Sequence, residues 1–151
     1  MTVSIAEEPW DSADGLRLRR AMHSELAARY QMPDQETEPP TAETISVFLI
    51  ARDPHGHATG CGALLPLDDG TAEIKRMYVI PRARGTGVAT RILHALEDQA
   101  RRRGIGTLVL ATGTKQPDAI RFYEREGYQR SDGYGPYVGE PLARCFTHQL
   151  S

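Results

Sequence analysis

The turn over Arg82–Ala89 constrains this chain most, because it joins a predicted strand to a long predicted helix. Its sequence is Arg-Ala-Arg-Gly-Thr-Gly-Val-Ala. The two glycines keep the turn free of side-chain bulk, so that backbone N–H groups can approach a ligand closely. These groups lie at the start of a helix, where unpaired amides and the helix dipole both favour a bound anion. The turn therefore predicts a cradle for a ligand that carries phosphate.

The first half of the chain predicts one helix and three strands. Asp11–Tyr30 carries apolar residues at four-residue steps and predicts an amphipathic helix. The polar segment Gln31–Thr44 contains three prolines and predicts a loop. Three apolar runs follow, and together they predict an antiparallel meander. These runs are Ile45–Arg52, Ala58–Leu67 and Ala72–Ile80.

Two details of this meander bear on function. Gly60 and Gly62 in the second strand predict a β-bulge or a close approach of other backbone. Strict alternation along the third strand places Arg76 on the opposite side from Glu73. On that alternation, Arg76 is not expected to bind a substrate beside Glu73.

The second half of the chain alternates between helices and strands. An apolar stripe predicts a helix from about Gly87 to Arg103, and Thr107–Thr112 predicts a buried strand. A short helix over Asp118–Glu126 and strands from Tyr128 onward and over Arg144–Leu150 complete the pattern. The order of elements predicts an α+β fold, a mixed sheet covered by helices.

Composition limits the class of protein. The chain has 151 residues, of which 40% are hydrophobic and 25% charged, so residues 1–151 are expected to form a single domain. The formal net charge is −2, so any phosphate must be bound by a local basic site. No apolar run approaches the ~20 residues of a membrane span, and no membrane partner is expected.

Several residue types exclude other partners. His55 and His57 flank a turn without further ligands nearby, so no metal site is predicted. The basic run Arg101–Arg103 lacks interleaved aromatic residues, so no nucleic-acid partner is predicted. Cys61 and Cys145 lie in strand-like runs and predict buried free thiols, which favour a cytoplasmic location, with a disulfide between them as the alternative.

The order of elements, with a glycine turn between a strand and a long helix, resembles the GNAT superfamily of N-acetyltransferases. Arg84-Gly85-Thr86-Gly87-Val88-Ala89 fits the coenzyme A signature of that family. The segment Ala119–Tyr128 is similar to the family's short helix, with a tyrosine before a glycine–aromatic pair. The ending Pro141–Phe146 looks like that of small bacterial members. Two other nucleotide-binding motifs fit the glycine turn less well. A phosphate loop would need a lysine after Gly87, and a dinucleotide fingerprint would need a third glycine and an acidic residue about 20 positions later.

The resemblance implies a fold and a donor site. It implies a central mixed, largely antiparallel sheet flanked by helices, in which Ala72–Ile80 and Thr107–Thr112 splay apart at the acyl-coenzyme A site. Acetyl-coenzyme A is the implied co-substrate, with no metal. The residues implied in binding it are Met77, Tyr78, Val79, Arg84, Gly85, Thr86, Gly87, Val88, Ala89, Gln116 and Tyr123. Lys115 and Arg121 are candidates for its 3′-phosphate, with exposed surface charges as the alternative.

The resemblance also implies two catalytic side chains. Glu73 is placed as the general base, although it could equally pair with Lys75 or Arg76 while ordered water serves as the base. Tyr123 is placed as the acid that protonates the departing thiolate, with a core aromatic residue as the alternative. The backbone at Val79 is the candidate for stabilising the oxyanion.

The function implied is direct transfer of the acetyl group from acetyl-coenzyme A to a primary amine of a small molecule or protein. Two alternatives stay open: a non-catalytic sensor or interaction module that binds coenzyme A, and a nucleotide-binding regulator. The resemblance allows a homodimer. Trp10, Tyr30, Tyr134 and Tyr137 are candidates either for an acceptor pocket or for core packing. The acceptor and the acyl-chain preference are left open.

Overall fold

Seven strands form one sheet in the computed structural model, which describes residues 2–31, 36, 38–68 and 70–151. In chain order they are β1 (Ser4–Glu7), β2 (Val47–Arg52), β3 (Ala58–Pro66), β4 (Thr71–Val79), β5 (Thr107–Gly113), β6 (Gln129–Ser131) and β7 (Ala143–Gln149). Across the sheet the order is β1-β2-β3-β4-β5-β7-β6. All neighbouring pairs are antiparallel except β4 and β5. The predicted mixed, largely antiparallel sheet is confirmed.

Three helices cover the sheet: α1 (Ala13–Tyr30), α2 (Val88–Arg102) and α3 (Pro117–Arg125). The hydroxyl of Ser12 accepts a hydrogen bond from the N–H of Gly15 at 3.0 Å and so caps α1. Leu18 of α1 packs on one face of β2 and β3, in a small core that includes Phe48. The larger core lies on the other face, where α2 and α3 pack against the sheet. Single 3-10 turns lie at Pro81–Ala83 and Gly135–Tyr137.

The first strand, β1, corrects the sequence analysis, which predicted no element before the first helix. Its four residues, Ser-Ile-Ala-Glu, are mostly exposed and too few to show an alternation. They form a strand because they pair with the edge of β2, from Ser4 opposite Arg52 to Glu7 opposite Leu49. The predicted loop Gln31–Thr44 falls partly on residues 32–35 and 37, which lie outside the described residues.

The parallel pair β4–β5 separates after a short run of pairing. The register joins Thr71 to Thr107 and ends where Glu73 faces Val109. Both strands continue beyond that point, β4 to Val79 and β5 to Gly113, without pairing to each other. The splayed pair implied by the family resemblance is therefore present.

A β-bulge interrupts β4 directly after the point of splaying. Lys75 faces Ala63 and Tyr78 faces Cys61, so two residues of β4 oppose the single residue Gly62. Arg76 takes a left-handed backbone conformation with φ 58°, which is uncommon for a residue with a side chain. The thiol of Cys61 donates to the Arg76 carbonyl at 3.2 Å, and burial raises the pKa of this thiol to about 12, so it keeps its proton.

This bulge overturns the alternation expected from the sequence. Lys75 and Arg76 are consecutive, yet both contact the carboxylate of Glu36 and therefore lie on the same side of the sheet. The extra residue shifts the period by one, so Met77 and Val79 pack into the larger core. The prediction that Arg76 faces away from Glu73 is wrong, because the bulge interrupts the alternation of β4. The bulge arises from pairing with β3, which the sequence of β4 alone does not reveal.

Candidate active site

A cavity of about 590 Å³ lies between α1, the end of β4, the glycine turn and α3. All the predicted coenzyme A residues except Thr86 line it: Met77, Tyr78, Val79, Arg84, Gly85, Gly87, Val88, Ala89, Gln116 and Tyr123. The hydroxyl of Thr86 instead donates to the Ala83 carbonyl at 2.6 Å and closes the turn. Glu73 does not line the cavity.

The floor of the cavity at the glycine turn presents the N-terminus of α2. Gly85 and Gly87 have φ values of 78° and 88°, a conformation that residues with a side chain rarely adopt. Gly87 is the N-cap of α2, where no side chain caps the helix and no acidic residue lies in the first turn. The N–H groups of that turn are therefore available to an anion in the cavity.

Arg84 joins the turn to its surroundings on two sides. Its Nε donates to the Val79 carbonyl at 2.9 Å, and its guanidinium contacts the Glu25 carboxylate of α1 at 2.8 Å. Its side chain is 42% exposed, so the positive charge stays at the mouth of the cavity. The residue therefore combines a structural bond with a charge that faces an incoming anion.

Beyond the point of splaying, β4 has a backbone edge that β5 no longer covers. The N–H of Ile80 donates to the Thr59 carbonyl at 2.9 Å and so faces β3. Neighbouring residues of a strand direct their backbone groups to opposite edges. The N–H and carbonyl groups of Val79 therefore face the splay, where β5 has already separated. Its carbonyl is bonded to Arg84, and its N–H is directed into the gap.

Tyr123 reaches the cavity from α3. Its side chain is buried among the rings of Phe122, Tyr128 and Phe146, with centroid distances of 5.0, 5.7 and 6.1 Å. Burial raises the pKa of its phenol above the ordinary range, so the hydroxyl remains protonated. The ring packing holds the residue in place, and it lines the cavity as well. The core role and the acid role are therefore compatible.

Glu73 lies in a polar cluster where β4 and β5 separate. Its Oε2 accepts a hydrogen bond from the Tyr134 hydroxyl at 2.7 Å and lies 3.3 Å from the Lys75 ammonium. Burial and the negative charge of Glu73 raise the pKa of Tyr134, so its phenol stays protonated and donates. Glu73 is thus engaged by two partners, in line with the pairing alternative of the sequence analysis.

Lys75 connects this carboxylate to a second one. Its ammonium donates to Glu36 at 2.7 Å and to the Tyr137 hydroxyl at 3.2 Å. Burial alone would lower the pKa of Lys75, but the hydrogen bond to Glu36 and the charge of Glu73 outweigh it and raise the pKa. Arg76 contacts the other oxygen of Glu36. The raised pKa of Lys75 and the lowered pKa of Glu36 keep this ion pair charged around neutral pH.

Of the remaining candidates, Gln116 and Arg121 line the cavity, whereas Lys115 contacts Tyr30. Gln116 is the N-cap residue of α3, and its side chain makes no capping hydrogen bond. Arg121 also pairs with Asp118. Lys115 places its ammonium over the Tyr30 ring, and its backbone N–H donates to the Tyr30 hydroxyl at 3.2 Å. Tyr30 therefore ties the end of α1 to the loop before α3.

The structure adds cavity residues that the sequence analysis did not assign to a ligand. They are Met22, Glu25, Leu26 and Arg29 of α1, Thr90 of α2, and Asp118, Ala119, Phe122 and Arg125 of α3. Met22 and Leu26 belong to the four-residue stripe that predicts α1. The stripe was the available signal, but it does not distinguish a cavity wall from a core.

The histidine pair has a local structural role. One oxygen of Asp53 accepts the N–H groups of His55 and His57 at 2.9 and 3.0 Å, which forms the turn before β3. No group of three or more His, Cys, Asp or Glu residues in the described part of the chain is placed to hold a metal ion. Cys61 and Cys145 are buried and free, as predicted. None of the described helices is both long and apolar enough to cross a membrane.

Comparisons with known proteins agree with this geometry. The sequence model of the Acetyltransferase (GNAT) family matches residues 12–128. An IAA acetyltransferase of Azospirillum brasilense is 40% identical over 97 residues, which cover 64% of this chain and 63% of that protein. The matched part thus spans just under two thirds of that relative's length.

Solved structures share the whole fold. A Klebsiella pneumoniae protein, provisionally named an acyl-CoA N-acyltransferase, superposes with a TM-score of 0.84 at 35% identity over 99% of both chains. A GNAT family acetyltransferase from Elizabethkingia anophelis, solved with acetyl-CoA bound, has a TM-score of 0.72 at 18% identity over 98% of both chains. The chain belongs to the GNAT acetyltransferase family. Its size and its bacterial relatives fit the small bacterial type.

Proposed function

We propose that this protein is an N-acetyltransferase that moves the acetyl group of acetyl-coenzyme A directly to a primary amine of a small molecule or protein. The observation that carries the proposal is the course of the cavity. Its lining runs from the uncapped N-terminus of α2 along the open edge of β4 at Met77–Val79, where β5 has already separated, and along α3. Such a course suits a ligand with an anionic end and a long amide-containing arm.

The glycine turn binds the anionic end in this proposal. The N–H groups around Gly85 and Gly87 hold the pyrophosphate, and Arg84 adds charge at the mouth. The backbone of Met77 and Val79 pairs with the amides of the arm, in place of the ladder bonds that β5 no longer makes. Because the turn lies at one end of β4, the arm extends back along the open edge of the strand, and the thioester comes to rest beside Met77 and Val79.

Each chemical need then has a candidate group. One backbone N–H of this open edge, that of Val79 or of its neighbour along the edge, Met77, donates to the oxyanion that develops as the amine nitrogen attacks the thioester carbonyl, and the other pairs with the arm. The new C–N bond forms and the C–S bond breaks, while Tyr123 gives its proton to the departing thiolate. Glu73, or water held beside it, takes the proton that the amine loses. Solvent then reprotonates Tyr123, so that protons balance over the cycle.

This chemistry needs no metal ion, since backbone and side-chain donors serve every step. A chelator should therefore leave the rate unchanged. The cytoplasmic location and the homodimer remain predictions, which fractionation and size-exclusion chromatography would check. Acetyl-coenzyme A is the proposed donor because its pyrophosphate and arm match the two ends of the cavity.

Release of free thiol from acetyl-coenzyme A in the presence of an amine panel tests the function. We expect thiol to appear only when an acceptor amine is present. The acetylated amine, identified by mass, should accumulate at the same rate. Coenzyme A binding without thiol release from any amine would count against catalysis.

One observation favours a second function, a coenzyme A-binding sensor without catalysis. Glu73 is bonded to Tyr134, lies beside Lys75 and does not line the cavity. A carboxylate held in this way is less available as a base. Glu73→Gln separates the two functions: loss of turnover with intact coenzyme A binding supports the enzyme. A wild-type protein that binds coenzyme A but acetylates no amine, with the same affinity as the Glu73→Gln variant, supports the sensor.

A further inference from the structure

Four charged side chains, two buried and two half-buried, form a compact unit on the face of the sheet that α1 covers. We call Glu36, Glu73, Lys75 and Arg76 the ion cluster. The side chains of Lys75 and Arg76 are only 8% and 10% exposed, and that of Glu36 is 17% exposed. Two cations are thus held on consecutive residues at the bulge, where the backbone of Arg76 is left-handed. Their placement is fixed by the sheet.

Glu36 differs from the other three members in origin. Glu73, Lys75 and Arg76 belong to β4, whereas Glu36 lies between α1 and β2, outside any helix or strand. Its two oxygens bridge the two cations, one to Lys75 and the other to Arg76. The carboxylate therefore occupies an anion site that is built from the strand, although it does not itself belong to that strand.

An anion is needed at this site for energetic reasons. A buried ammonium or guanidinium group without a partner is strongly unfavourable, so the two cations require a negative charge close by. Glu36 provides that charge when the site holds no ligand. A carboxylate on a ligand could replace it without changing the charge of the buried cluster. The buried charges therefore tolerate the exchange for an anion, whereas a neutral group would leave the two cations unpaired.

The position of the site links it to the transfer reaction. Arg76 directly precedes Met77, which lines the cavity, and Glu73 marks the last paired position of β4 and β5. Glu73 lies 3.3 Å from Lys75, so an ammonium group beside Glu73 and an anion on Lys75 would be close neighbours. The cluster is thus suited to a molecule that carries both charges.

We propose that the acceptor is a small amine that also bears an anionic group, and that Lys75 and Arg76 bind this group in the place of Glu36. This inference rests on the proposed acetyl transfer and adds the substrate class. Glu36 then acts as an exchangeable occupant, and Lys75 and Arg76 determine specificity. A carboxylate and a phosphonate share the required chemistry.

Three acceptors of similar length test whether the site prefers a carboxylate, a phosphonate or no anionic group. They are β-alanine, 2-aminoethylphosphonate and n-propylamine. We expect acetylation of one or both anionic amines at a lower KM than n-propylamine. Arg76→Gln should raise the KM of the anionic acceptors by about 10- to 100-fold, the range of a lost charge-assisted hydrogen bond, and change that of n-propylamine little. Glu36→Gln should lower the KM of the anionic acceptors severalfold.

The matched control is Glu43→Gln, an exposed residue of the same connecting segment. It should leave all three KM values unchanged. Coenzyme A affinity measured by calorimetry shows whether each variant is folded. A KM that rises for every amine in Glu36→Gln would overturn the inference, because Glu36 would then bind the amine itself. Equal effects of Arg76→Gln on charged and neutral acceptors would overturn it too.

A binding measurement separates this inference from the proposed function. Calorimetric titration of the anionic amines into the coenzyme A complex reports the anion site without turnover. Tighter binding in Glu36→Gln and weaker binding in Arg76→Gln support the site even if no amine is acetylated. Acetylation without any preference for anionic amines, and with equal binding in all variants, would leave the function standing and refute the site.

Discussion

The two halves of β4 serve regions of opposite character. Its last residues, Met77–Val79, line an open cavity with backbone edges and apolar side chains. Its middle residues, Glu73–Arg76, carry buried charges that are paired with one another and with Glu36. The bulge at Arg76 separates the halves and shifts which side chains face α1. One strand thereby presents an open cavity beside a buried ion cluster.

The cavity and the ion cluster are assembled from different kinds of segment. The cavity takes its glycine turn and its tyrosine from two continuous segments, residues 84–89 and 119–128. The ion cluster combines Glu36, which lies outside any helix or strand, with three residues of β4. Tyr134 and Tyr137, from a distant part of the sequence, form hydrogen bonds to it. A site of the first kind can be maintained by local sequence. A site of the second kind exists only after the chain has folded, and it can change between relatives through single substitutions.

The largest effect is expected at the acid. Tyr123→Phe keeps the ring packing with Phe122 and Phe146 but removes the proton donor. Turnover should fall by about 100-fold or more, the usual range for a general acid, with little change in the KM for acetyl-coenzyme A. Steady-state thiol release measures this, and a variant with full turnover would reduce Tyr123 to a packing residue.

A smaller loss is expected at the mouth of the cavity. Arg84→Glu reverses the charge that faces the pyrophosphate and places a carboxylate beside Glu25. Coenzyme A affinity in calorimetry should fall by about 10- to 100-fold. Arg102→Glu, an equal charge change at the exposed far end of α2, is the control and should bind normally. If both variants bind alike, Arg84 contributes nothing specific to the donor site.

The bulge between the two halves can be tested through its packing. A methyl group on Gly62 would lie 2.7 Å from the Met77 sulfur and 2.9 Å from Ile92, so Gly62→Ala should lower the free energy of unfolding by about 1–3 kcal/mol. At Gly106 an added methyl group meets nothing within 4 Å, so Gly106→Ala should be close to neutral. Urea denaturation compares the two, and equal stabilities would show that the bulge is not tightly packed.

The smallest effect concerns acid stability of the ion cluster. Burial alone would raise the pKa of Glu36, but its bonds to Arg76 and Lys75 outweigh this and lower the pKa below the ordinary 4.5. A lowered folded-state pKa stabilises the protein above pH 4.5, and the gain is lost as the pH falls through the folded-state value. The Tm difference between wild type and Glu36→Gln should therefore be a few degrees at pH 7 and shrink under acid conditions. A difference that stays constant down to pH 3 would contradict the pairing.

Much of the fold was predictable because its signals are local. Apolar runs, helical spacing and turn residues predicted three helices and six of the strands, and the family resemblance of the glycine turn and the Tyr123 segment predicted residues that line the cavity. The strand β1 was not predicted, because its four mostly exposed residues show no apolar alternation and form a strand only by pairing with β2.

The ionic half of β4 was less predictable because it depends on pairing. Arg76 was placed on the wrong side, since alternation fails where two residues oppose Gly62. Glu36 gave no signal at all, as an acidic residue in a loop is ordinarily solvated. Tyr134 was named among aromatic candidates, but its bond to Glu73 spans 61 positions of sequence. Contacts of that kind follow from tertiary structure alone.

Acetyl transfer itself is tested most directly by mass balance in a single sample. Acetyl-coenzyme A, the protein and an amine such as β-alanine are incubated, and free thiol and acetylated amine are quantified together. We predict one acetylated amine for each thiol released, no release without the amine, and no acetyl group left on the protein. Tight coenzyme A binding with no acetylated product from any amine of the panel would contradict the proposed function.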